Sequence, residues 1–63
     1  SSEIPDKLKQ LSKRFEFNIN SKEYETAKGT LKQMMDIYGE DNSLVKKGKF
    51  KLRMAGINLD DLH

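Results

Sequence analysis

The chain has no cysteine, no tryptophan, a single proline, and a single histidine that is its last residue. Without cysteine there are no disulfides and no thiolate metal sites, and nothing points to an oxidising compartment. His63 alone cannot assemble a zinc site, and no cofactor is implied anywhere in the sequence. No apolar run approaches the roughly 20 residues that span a bilayer. The start, SSEIPDKL, has neither an initiator methionine nor a signal-peptide core. The expectation is a single helical domain over residues 1–63, excised from a larger intracellular protein of the cytoplasm or nucleus, with no membrane partner.

Catalytic equipment is equally scarce. There is no thiol, no glycine-rich phosphate loop and no carboxylate pair in a setting that could become a pocket. Tyr24 and Tyr38 fall on an apolar stripe, where half-buried packing explains them. The segment DIYGEDNS gathers Asp36, Glu40 and Asp41. It lacks the alternating oxygen donors, the sixth-position glycine and the twelfth-position glutamate of a calcium loop. A helix end followed by acids at the next helix start accounts for it. The reading is a protein without enzymatic activity.

Apolar residues make up 35% of the chain, enough for a small helical core, and their spacing is helical. In IPDKLKQLSKRFEF, Leu8, Leu11 and Phe15 recur at three and four, with Ile4 a turn earlier. Pro5 and Asp6 suit the first turn, and the period is lost at FNIN, so the first helix is predicted over about 4–17. In INSKEY, Asn20 and Glu23 have capping-box spacing, with Ile19 and Tyr24 in the staple positions. The second helix is therefore predicted over 21–38, with Gly39 as its stop and Tyr24, Ala27, Leu31, Met34 and Tyr38 on its stripe. Gly29 inside it suggests close approach of a neighbouring helix. Asn42 or Ser43 then caps a third helix over 43–55, ended by Gly56. A short fourth turn at INLDDLH is left open, with Asn58 as its candidate cap and Asp61 three residues on. The fold class is all-α, a small three-helix bundle.

The chain's net charge is only +2, from 12 basic and 10 acidic residues, which compels no polyanionic partner. The distribution is less even. Residues 43–56, SLVKKGKFKLRMAG, hold five cations and no acid. On a wheel with Leu44 at 0° and about 100° per residue, Ala55, Gly48, Leu52 and Val45 fall within about 100° of it and form the core arc. Lys49, Arg53 and Lys46 fall at about 140–200°, Phe50 and Met54 at about 240–280°, and Lys47 and Lys51 at about 300–340°. The cations thus divide into two groups, with a large apolar pair between them and opposite the core arc.

If the pair stays outside, an exposed apolar pair with a charged rim suits protein docking. The alternative is that the third helix rotates, or kinks at Gly48, so that Phe50 and Met54 join the core. The expected function is an interaction or adaptor module whose site is Phe50, Met54, Lys46, Lys47, Lys49, Lys51 and Arg53. Its expected partner is a protein or peptide segment of acidic-hydrophobic character. The competing reading is nucleic-acid binding, with the cations on phosphates and Phe50 stacked on a base. Against it stand the low net charge and the absence of helix-turn-helix or RNA-binding motifs. The LDDL tail resembles an acidic-hydrophobic ligand, which adds self-docking or weak self-association through Leu59 and Leu62 as a further expectation.

Overall fold

The computed structural model describes residues 5–62, with Asp61 described by its backbone alone. The expected contribution of Ile4 to the first stripe, and that of Asp61 to the final turn, lie outside what is described. Three helices follow one another: α1 (Asp6–Asn20), α2 (Tyr24–Tyr38) and α3 (Ser43–Met54), and a 3-10 turn closes the chain at Asp60–Leu62. No strand occurs among the described residues, and the molecule is the small all-α bundle that the periodicity predicts.

The core joins the expected stripes. Leu8, Leu11 and Phe15 of α1 meet Ala27, Leu31, Met34 and Met35 of α2, while Val45 and Leu52 of α3 close over them. Tyr24, Tyr38, Ile19 and Leu44 pack at the margin. Leu31, Met34, Val45 and Leu52 are wholly buried, and full burial of such a side chain is worth about 1.5–3 kcal/mol. α3 rests chiefly on α2 and touches α1 more lightly.

The end of α1 differs from the reading. The helix runs through FNIN to Asn20 because Asn18 continues the Leu11–Phe15 register onto the buried face. There its side-chain amide donates to the Thr30 hydroxyl of α2 at 3.3 Å, and that hydroxyl donates to the Thr26 carbonyl at 3.1 Å. A polar residue holds an apolar position because a partner on another helix satisfies it. The capping box does not form. Asn20 remains inside α1, and Glu23 precedes α2 with no side-chain cap bond. The turn is instead closed from the α1 side. The Glu23 N–H donates to the Asn18 carbonyl at 2.8 Å and the Lys22 N–H to the Ile19 carbonyl at 3.0 Å. This is a Schellman closure with Lys22 at φ 61 in the left-handed position usually given to glycine.

Other local signals hold. Asn42 caps α3, its Oδ1 accepting from the Leu44 N–H at 2.9 Å, and Gly39 ends α2 with φ 87. The close helix approach occurs at a different glycine. A Cβ on Gly29 would meet nothing within 4 Å, whereas one on Gly48 would lie 2.8 Å from Leu31 Cδ1 and 3.3 Å from Phe15 Cζ. Gly48 is what lets the α3 backbone settle between the side chains of α1 and α2. Ala55, placed on the core arc by the wheel, is exposed at the end of α3, where the helix gives way to the turn before Ile57.

The fourth turn exists. Asn58 Oδ1 accepts from the Asp60 N–H at 2.9 Å, and Leu59 and Leu62 are both buried in the common core. The tail therefore docks on its own bundle, Leu62 lying beside Met35 and near Asp36 and Glu40. Leu59 and Leu62 are consumed within the molecule, which removes them as the surface for self-association.

Candidate functional site on the outer face of the third helix

A helix that packs on one side only must leave its opposite side to solvent. Val45, Gly48 and Leu52 take the inner side of α3. About half a turn around from them, Phe50 is 63% exposed and Met54 is 73% exposed. They stand four residues apart, so their side chains are neighbours along the helix surface. Rotation of α3 to bury them does not occur, because Gly48 against Leu31 and Phe15 fixes which side faces inward.

The five cations do not share one role. Lys51 pairs with Glu16, tying α3 to α1. Lys49 pairs with Glu40 at 3.4 Å, tying α3 to the turn that precedes it. Both side chains lie on the flanks of the helix and are partly buried. Lys46, Lys47 and Arg53 are exposed and make no ion pair among the described residues. The residues singled out in the sequence thus divide into an apolar pair, three unengaged cations around it, and two lysines that act as struts. Strut lysines at the surface contribute little to stability, typically below 1 kcal/mol each.

The arrangement can offer dispersion contact and aromatic area at its centre and charge at its rim. Among the described residues, two other large apolar side chains are exposed, Phe17 on α1 and Ile37 on α2. Neither is singled out by composition. A wheel of α1 carries the signal for Phe17, which stands about 180° from Leu8. Among the described residues, no helix is long and apolar enough to cross a membrane. No protein-family model matches this chain, and neither the curated proteins nor the solved structures searched contain a match.

Proposed function

We propose that this bundle is a non-enzymatic protein-interaction module of a larger intracellular protein, docking a partner segment on the outer face of α3. The observation that carries the reading is the exposed Phe50–Met54 pair, set among Lys46, Lys47 and Arg53 with no acid on that helix. Burial of two large apolar side chains supplies the affinity, and aromatic anchors of this kind commonly dominate an interface. The cations select an acidic partner and speed its approach. An amphipathic segment with carboxylates beside an apolar stripe fits both demands.

The two strut lysines weigh against nucleic acid as the ligand, because phosphate binding would have to use a row interrupted by Glu16 and Glu40. The test compares wild type with Phe50→Ala and Met54→Ala in partner capture from cells, alongside titration with single-stranded and duplex oligonucleotides at two salt concentrations. We expect a captured partner to be lost with either substitution, by on the order of 2 kcal/mol for a central anchor. Tight oligonucleotide binding that collapses with salt and ignores Phe50 would replace this reading with the nucleic-acid one.

A further inference from the structure

A second surface lies away from α3, on the flank of α1 that meets α2. There an open cleft of about 390 Å³ is lined by Lys7, Gln10, Leu11 and Arg14 of α1 and Gln33 of α2. The Lys7, Gln10, Arg14 and Gln33 side chains make no hydrogen bond or ion pair among the described residues. Among the described residues no carboxylate lines the cleft, and two cations with no described ion pair face it. Leu11, almost fully buried, forms an apolar floor. α1 and α2 run antiparallel across a short turn, so Phe17, a turn beyond Arg14, and Ile37, a turn beyond Gln33, stand toward opposite ends and are both exposed.

We infer that this cleft is a second binding site, which takes an extended acidic peptide segment of a partner protein. The charge requirement follows from Lys7 and Arg14. Their seven-residue separation sets them two turns apart on one side of α1, about 10 Å along the axis. In an extended chain of the polyproline II type, with three residues per turn and 3.1 Å rise, residues three apart share one face about 9 Å from each other, so carboxylates at positions i and i+3 match the two cations. The peptide requirement follows from Gln10 and Gln33. A carboxamide offers both a donor and an acceptor, which is the complement of a peptide unit. A phosphate ion gathers its one or two P–OH donors and its acceptors on a single centre, so it cannot complement two carboxamides along a cleft as the repeated N–H and C=O groups of a peptide can. Leu11 at the floor adds apolar contact that a free anion cannot use. The site is independent of the α3 face, because α3 meets α1 on its other flank through Lys51 and Glu16.

The test is a two-dimensional NMR titration of the whole 63-residue chain with a capped tetrapeptide, aspartate first and glutamate fourth, with leucine and alanine between. Backbone resonances of Lys7, Gln10, Arg14 and Gln33 should shift together and saturate. The double substitution Lys7→Gln with Arg14→Gln should weaken binding roughly five- to tenfold, the scale of two exposed charge pairs. Gln33→Leu should weaken it as well, while Lys32→Gln, exposed on α2 but outside both surfaces, should leave the shifts of these four residues unchanged. All of these positions are on the surface, and the dispersion of the spectrum reports that each variant is folded. The inference is overturned if these resonances stay still, if the peptide with asparagine and glutamine in place of its acids binds equally well, or if inorganic phosphate saturates the same residues. Loss of the α3 reading would leave this outcome unaffected.

Discussion

Lys22 carries more local strain than any other described residue outside glycine. Its φ of 61 places a long side chain in the left-handed region, which costs an L-residue roughly 1–2 kcal/mol. Glycine removes that cost but adds freedom to the unfolded chain, an offset of about 0.4–1 kcal/mol. Lys22→Gly should therefore stabilise the bundle by up to about 1 kcal/mol, seen as a higher urea midpoint with unchanged slope. The buried Asn18–Thr30 bond behaves differently, because its two halves depend on each other. Thr30→Val alone strands the Asn18 amide in the core and should cost about 1–3 kcal/mol. Thr30→Val combined with Asn18→Leu removes both polar groups and should recover much of that loss. A double-mutant cycle by chemical denaturation checks the coupling, and simple additivity would count against it.

At the scale of helices, the two internal glycines separate propensity from packing. Gly29 is exposed and has open space around it, so Gly29→Ala should stabilise α2 by up to about 1 kcal/mol. Gly48→Ala gains the same helix propensity, yet its Cβ would press Leu31 and Phe15 in a filled core. Overpacking of that kind costs about 1–3 kcal/mol, so the sign should reverse between the two sites in parallel thermal melts. The contrast also marks what a single sequence discloses. Apolar spacing, the Asn42 cap and the Gly39 stop are local, and they could be read directly. The continuation of α1 through Asn18 could not, because its reason is a hydroxyl twelve residues away on another helix. The same holds for the candidate site. The wheel of one helix sets Phe50 and Met54 opposite the core arc but leaves open whether the helix rotates to bury them. The packing of Gly48 on Leu31 and Phe15 decides it. The engagement of Lys49 and Lys51 depends on Glu40 and Glu16, which other elements supply.

Taken whole, the molecule assigns stability and recognition to different residues. A bundle this short has a core that rarely supplies more than about 3–5 kcal/mol, so its last apolar residues matter. Leu59 and Leu62 are buried to 8% and 6% exposure, and the 3-10 turn at Asp60–Leu62 holds the second of them in place. Removing residues 58–63 withdraws both, at about 1.5–3 kcal/mol for each fully buried side chain. Much of the stability should go with them, giving a chain that retains helix but melts broadly and exchanges its core amides fast. Phe50→Ala with Met54→Ala deletes as much apolar volume, yet from solvent, and should stay within about 0.5 kcal/mol of wild type per site. Denaturation of the two variants side by side tests the division. A truncated chain as stable as the parent would show that the tail is not part of the core, and a large loss from the Phe50 and Met54 changes would show that they are. If the division holds, weaker capture by the Phe50 and Met54 variants reports recognition directly. Weaker capture by a tail truncation reports only unfolding, and binding experiments on this bundle must therefore keep Leu59 and Leu62.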